Sequence, residues 1–265
     1  MSTLPAPGSV APAFSLNDVS GTAHHFGPGI SSSPVTLLFF FKHDCPTCEL
    51  MAPVVQRIWH GLYASGLRVL GISQNDLAET EAFVGRHGLT LPSVLDVELL
   101  VSEQYGFDAV PALVLARPNG TVFESFEGFS KSDVLTLAHS AAECCNAQTP
   151  EIEQPGETMP EWRPGCGSRV HEPDVARQLA VRRSTERLTA RRVRVPFDID
   201  PFEFFFDQGL TDGLPVVPPT EERVLRMLDG TSRPPNDLVA HVPPNLAPAT
   251  VEKVAINAVM AGCRP

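Results

Sequence analysis

The chain has no run of about 18–20 apolar residues, the length a helix needs to span a bilayer. It is also short of positive charge: 20 lysines and arginines stand against 31 aspartates and glutamates, for a formal net charge of −11. A surface of that sign attracts neither nucleic acid nor an anionic membrane, so neither is expected as a partner. The stretch Met1–Pro12 lacks a basic segment followed by an apolar one, and no secretory signal is read there. The resulting expectation is a cytoplasmic, reducing location. In that setting the six cysteines are expected to be redox-active, metal-binding or free, not a disulfide framework.

What is present starts with size. At 265 residues and 43% hydrophobic content the chain holds enough for one packed domain and something more. The run Pro34–Phe41 is apolar and β-prone, as a strand covered on both faces should be. Leu50, Val54, Val55, Ile58, Trp59 and Leu62 then recur at the spacing of a helix with one buried face. Between them lies Cys45-Pro46-Thr47-Cys48. Cys45 therefore falls at or just before a helix N-terminus, where unpaired N–H groups and the helix dipole favour a thiolate. Two intervening residues put Cys48 one turn along, within reach of a mixed disulfide formed on Cys45. The layout is that of a dithiol–disulfide exchange site, with Cys45 as the exposed nucleophile and Cys48 as the resolving thiol. It calls for no cofactor. Its expected partners are a disulfide-bearing protein or small thiol and an electron-donor reductase. His43 is a candidate modulator if its ring turns toward the Cys45 sulfur; the plainer reading is a solvated histidine, and Lys42 and Asp44 read as surface residues.

Strand and helix patterns alternate through residue 146, which predicts an α/β domain over 1–146. Leu67–Ile72 reads as a strand, and Leu77–His87 as a helix closed by Gly88, a residue suited to the left-handed turn after a helix end. Leu91–Leu95 is a short strand and Val97–Tyr105 a short helix. Strands Ala112–Ala116 and Thr121–Phe126 flank Asn119-Gly120, the strongest hairpin signal in the chain. Ser132–Cys145 closes the domain as a helix. Pro150, Pro155, Pro160, Pro164 and Pro173 punctuate a polar stretch, so 147–174 reads as a proline-rich linker. Residues 175–195 read as an exposed helix carrying Arg177, Arg182, Arg183, Arg187, Arg191, Arg192 and Arg194. Residues 196–265 form a small α-rich unit: an aromatic cluster of Phe197, Phe202, Phe204, Phe205 and Phe206, a helix Glu221–Leu228 capped by Thr220, and a helix Thr250–Ala261. A unit of this size is marginal alone, so it is expected to pack on another surface or to be the start of a longer domain.

Residues 8–140 resemble the thioredoxin-like superfamily, in the branch shared by thiol-disulfide oxidoreductases and peroxiredoxins. Gly8–Asp18 with Gly21 is similar to that family's N-terminal hairpin, and Phe40–Cys48 to its strand, redox motif and helix. Val110-Pro111, just before Ala112–Ala116, matches the loop carrying the family's cis-proline opposite the dithiol. The resemblance implies a central mixed sheet flanked by helices, a redox-active Cys45–Cys48 disulfide, and Val110 and Pro111 as the substrate-binding edge. Two departures stand out. Phe39 occupies the position where thioredoxins carry a buried acid, and the dipeptide between the cysteines is Pro46-Thr47, in which Thr47 supplies an N–H and a hydroxyl but no charge. The segment from Asp212 to Pro265 resembles the opening of an uncharacterised bacterial family, from which no catalytic role carries over.

Other chemistries fit the same residues less well. On a peroxiredoxin alignment Cys48 is the peroxidatic residue and Cys45 takes the place of a threonine that orients peroxide; Cys45 as the peroxidatic residue is the other form of that reading. Arg117 lies at the far end of its strand from the place of that family's arginine. Zinc needs four ligands, and Cys144, Cys145 and Cys166 lie far along the chain from the pair, so no metal site is expected. Cys144 and Cys145, adjacent at a helix end, read as free thiols or as a second relay; Cys166 and Cys263 read as free cysteines. A non-enzymatic redox-sensing module is the remaining alternative.

Overall fold

The computed structural model describes residues 4–30, 33–154, 156–176, 178–179, 188–196 and 199–265. It divides into two units, Met1–Val175 and Ala176–Pro265. The first unit opens with β1 (Phe14–Asn17), β2 (Ala23–Phe26), β3 (Val35–Phe41), α1 (Pro46–Leu62), β4 (Leu67–Ser73), α2 (Leu77–His87) and β5 (Ser93–Leu95). It continues through α3 (Leu100–Tyr105), β6 (Ala109–Val110), β7 (Ala112–Ala116), β8 (Val122–Glu127), β9 (Phe129–Ser130), α4 (Lys131–Cys144), β10 (Trp162–Arg163) and β11 (Cys166–Gly167).

All seven residues of β3 are buried, because the strand lies at the centre of a sheet ordered β5-β4-β3-β7-β8. β3 pairs in parallel with β4 and antiparallel with β7, so the sheet is mixed. Successive side chains of a strand point to opposite faces, and the aromatic contacts follow that alternation. Phe39 and Phe41 stack at 5.2 Å and Phe83 of α2 stacks on Phe41 at 4.8 Å, while Phe40 meets Tyr105 and Phe107, each at 4.8 Å. The sheet is thus sealed from both sides by helices whose apolar faces the sequence placed there.

Helix ends form where the local chemistry dictates. Asp76 caps α2 by accepting from the Glu79 N–H at 2.9 Å, and Gly88 closes it at φ +59°. α3 is shorter than the predicted Val97–Tyr105: Leu99 takes a left-handed φ of 57°, and the buried Asp96 carboxylate accepts the N–H groups of Val101 and Ser102 at 3.2 and 2.7 Å. The Asn119-Gly120 hairpin is present between β7 and β8.

The expected linker at 147–174 is instead folded onto the first unit. Ile152 and Met159 are buried in its core. β10 pairs with β9, and β11 pairs with β6. Arg57–Glu157 and Lys131–Glu153 ion pairs at 3.0 and 2.8 Å fasten the path between them. Proline stops helices without stopping a segment from packing in extended form, so a proline-rich stretch whose composition predicts a linker packs here as part of the fold.

In the second unit, Thr220 caps helix Glu221–Leu228 as expected, and Thr250 caps helix Val251–Met260. Helix Pro201–Asp207 buries Phe205 and leaves Phe202 and Phe206 exposed. The unit is not purely helical: Leu238–Val242 and Ala247–Thr250 form an antiparallel hairpin. The Glu252 carboxylate, 2% exposed, accepts from the Thr189 N–H and hydroxyl and from the Ala190 N–H at 2.8–3.0 Å. Of the predicted arginine-rich helix, Arg177, Arg182, Arg183 and Arg187 lie outside the described residues. Arg191, Arg192 and Arg194 lie in irregular chain, so the helix does not reach residue 195. Among the described residues no helix is long and apolar enough to cross a membrane.

Candidate active site

The buried end of β3 delivers the chain to α1, and the turn between them carries Cys45. Its backbone is extended (φ −105°, ψ 109°), and its sulfur caps the helix by accepting the Cys48 N–H at 3.2 Å. Pro46 at the first helical position costs no hydrogen bond, since that N–H would be orphaned anyway. Cys48 lies one turn along with its side chain fully buried.

The two thiols are driven in opposite directions. The Cys48 thiol donates to the Cys45 sulfur, and this outweighs burial to lower the Cys45 pKa to about 6 from its ordinary 9.0; the thiol and N–H of Cys166 and the Cys48 N–H add to the effect. Cys48 is pushed well above the ordinary value, first by burial and then by its bond to Cys45 and the charge developing there. An ionised leading sulfur beside a protonated trailing one is the starting state for nucleophilic exchange.

Opposite the pair stands the loop between β6 and β7. Its Val110–Pro111 peptide bond is cis, and the Val110 carbonyl lies 3.4 Å from the Cys45 sulfur. Cys45, Cys48, Val110 and Pro111 are therefore brought together as the sequence implied. His43 is not. Its ring bonds the Asn75 amide at 2.8 Å and faces Glu79 at 3.7 Å, and it is not among the groups that shift Cys45. The Thr47 hydroxyl donates to the Pro164 carbonyl at 2.7 Å, so it holds backbone and not substrate. Phe39 is fully buried against the Phe41 ring, an apolar wall at the position where thioredoxins carry an acid. Arg117 sits over the Phe123 ring at 4.5 Å.

The largest departure from expectation is the burial of Cys45, whose exposed surface is 0%. The cover is the segment whose composition predicts a linker. Cys166 pairs with Val110 and Gly167 with Ala109 in an antiparallel bridge, and the Ser168 N–H donates to the Asp108 carbonyl at 2.9 Å. Gln74 fastens the far end through Ser168 at 2.8 Å and Arg169 at 3.1 Å. The approach is close enough to demand glycine: a Cβ on Gly165 would stand 2.8 Å from the Val110 carbonyl, and Gly128, at φ +75°, faces the Gly165 nitrogen. Cys166, read from the sequence as a free cysteine, thus stands beside Cys45. Its flanking glycines were the available signal, since Gly on either side of a reactive residue permits close backbone approach. Cys144 and Cys145, by contrast, end α4 and are pushed up by burial.

Comparison with known proteins bears on the first unit. The AhpC/TSA family model matches residues 7–125. The thiol-disulfide oxidoreductase ResA of Geobacillus thermodenitrificans (strain NG80-2) is 30% identical over 138 residues, covering 50% of this chain and 76% of the relative. The chain belongs to the thiol-disulfide oxidoreductases. The methylamine utilization protein MauD of Methylorubrum extorquens is 30% identical over 122 residues, 44% of this oxidoreductase and 56% of MauD. A solution structure from Bacteroides thetaiotaomicron, assigned as a protein disulfide isomerase, superposes with a TM-score of 0.51 at 20% identity, over 55% of this oxidoreductase and 94% of that chain. The likeness establishes the thioredoxin-like fold of the first unit. The enzyme exchanges electrons between thiols and disulfides, and so acts on disulfide substrates with redox partners.

Proposed function

We propose that Cys45 is the attacking residue and Cys48 the resolving one. The Cys45 thiolate attacks a substrate disulfide, one substrate thiol leaves, and a mixed disulfide remains on Cys45. Cys48 then gives up its proton and attacks Cys45, closing the Cys45–Cys48 disulfide and releasing the second substrate thiol. The reverse sequence oxidises a substrate dithiol. The observation that carries this reading is the Cys45 sulfur at the cap of α1, 3.2 Å from the Cys48 N–H, with its pKa lowered to about 6. The edge Ala109–Val110 is the substrate-binding surface in this reading, supported by its capacity to pair an extended strand. The expected electron donor is a cellular reductase, and the expected compartment is the cytoplasm. Turnover of a model protein disulfide by the reduced enzyme tests the assignment: Cys45→Ser is expected to abolish it, and unchanged turnover by that variant overturns it.

A thiol peroxidase is the second reading, favoured by the AhpC/TSA match. The raised pKa of Cys48 weighs against Cys48 as the peroxide-attacking group, leaving Cys45 for that role. Consumption of hydrogen peroxide faster than exchange with a protein disulfide would favour it.

A further inference from the structure

The Pro164–Gly167 segment occupies the place a substrate strand would take, and it brings its own sulfur. The bridge pairing sets Cys166 opposite Val110, whose carbonyl lies 3.4 Å from the Cys45 sulfur. The thiol and N–H of Cys166 help to hold Cys45 below its ordinary value, and Cys166 is itself pushed up, first by burial and then by Cys45. Cys45 thus has Cys48 one turn along its own helix and Cys166 on the strand that covers it. Cys45 and Cys48 are fully buried and Cys166 is partly exposed.

We propose that Cys166 is a third redox residue of this enzyme, forming an intramolecular disulfide with Cys45 and passing electrons between the buried pair and the outside. The inference rests on the exchange role assigned to Cys45. Each step is an exchange without net gain or loss. Cys166 gives up its proton and attacks an external disulfide, which leaves a mixed disulfide on Cys166 and one external thiolate that takes up the proton. The Cys45 thiolate attacks Cys166, forming Cys45–Cys166 and expelling the second external thiolate. Cys48 loses its proton and attacks Cys45, forming Cys45–Cys48 and returning Cys166 as a thiolate that takes up a proton. The external disulfide is reduced by two electrons and the Cys45–Cys48 dithiol is oxidised by two. Running the steps backward carries electrons inward.

Three features suit Cys166 to this role. It is the sulfur of the three that a reagent reaches without displacing the segment. Its backbone is clamped by Val110 on one side and by the Thr47 bond to Pro164 on the other. Gly165 and Gly167 flank it, and a side chain at Gly165 would collide with the Ala109 Cβ at 2.9 Å.

The test uses the full chain carrying Cys48→Ser. The reduced protein is treated with glutathione disulfide, quenched in acid, alkylated and mapped peptide by peptide by mass spectrometry. Most of Cys45 is expected in a cross-link to Cys166, with two glutathione thiols released for each such bond. A glutathione adduct that persists on Cys45 while Cys166 is alkylated overturns the proposal. The double variant Cys48→Ser, Cys166→Ser separates the two levels of argument: it is expected to hold glutathione on Cys45. Failure to do so overturns the exchange role of Cys45, and this inference with it. The unsubstituted chain, partly oxidised, is expected to carry the same Cys45–Cys166 peptide as a minority beside Cys45–Cys48. This guards against misfolding of the variants, and absence of the linkage from every chain overturns the proposal.

Discussion

The ionisation of Cys45 is the quantity on which the enzyme's reactivity turns. A thiol at its ordinary 9.0 is about 1% ionised at pH 7, whereas one lowered to about 6 is about 90% ionised. The difference amounts to ~4 kcal/mol in favour of the thiolate, supplied first by the Cys48 thiol and then by the Cys166 and Cys48 donors, against the cost of burial. The ultraviolet thiolate absorbance, taken as the reduced enzyme minus Cys45→Ser and titrated from about pH 4 to about pH 9, is expected to rise with a midpoint near 6. Cys48→Ala removes the leading donor, and the midpoint is expected to climb toward the ordinary thiol range. The same ionisation has a consequence for stability. Because the folded value lies below the unfolded one, the contribution is complete above about 9 and is lost as pH falls through about 6. Within that window each pH step is worth ~1.4 kcal/mol. The reduced enzyme should therefore gain stability relative to Cys45→Ser between about pH 6 and pH 8, by ~2 kcal/mol in denaturant titrations. A midpoint in the ordinary thiol range, together with parallel stability curves for the two proteins, refutes the reasoning.

Further outcomes follow from the same contacts. Gly165→Ala places a methyl 2.8 Å from the Val110 carbonyl, so the bridge should part and Cys45 should be alkylated faster by a small reagent; an unchanged rate shows that the covering segment is not what protects it. Thr47→Val deletes the bond to the Pro164 carbonyl, worth ~1 kcal/mol, and should speed the same alkylation roughly fivefold. His43→Ala should leave the Cys45 titration midpoint in place, because the ring is tied to Asn75; an upward move would restore it as a modulator. Phe39→Ala opens a cavity between packed rings and should cost ~3–5 kcal/mol in denaturant unfolding.

The first half of the fold was legible because its signals are local. An uninterrupted β-prone run gave β3, a glycine after His87 closed α2, Asn119-Gly120 gave the hairpin, and two cysteines at a strand–helix junction gave the reactive pair. α3 starts three residues later than its pattern predicts because Asp96 caps it from outside the helix. Cys166 escaped for a different reason. Its significance depends on pairing with Val110, a long-range contact that no window of sequence contains, and the surrounding prolines argued for a linker. Ile152 and Met159 looked like isolated apolar residues until the fold put them in the core. The hairpin at Leu238–Thr250 was equally hidden, since every residue of its first strand is exposed and no alternation of polarity marks it.

The pairing of β11 with β6 also sets a condition on what the enzyme meets productively. A sulfur tethered beside Cys45 meets it at an effective concentration of order millimolar. On the proposed relay, a dilute small disulfide therefore reaches Cys45 by way of Cys166. A macromolecule that lends its own extended strand to Ala109 and Val110 would instead replace the segment's backbone bonds as it arrives, so one sulfur is served by two routes, one opened by chemistry and one by shape.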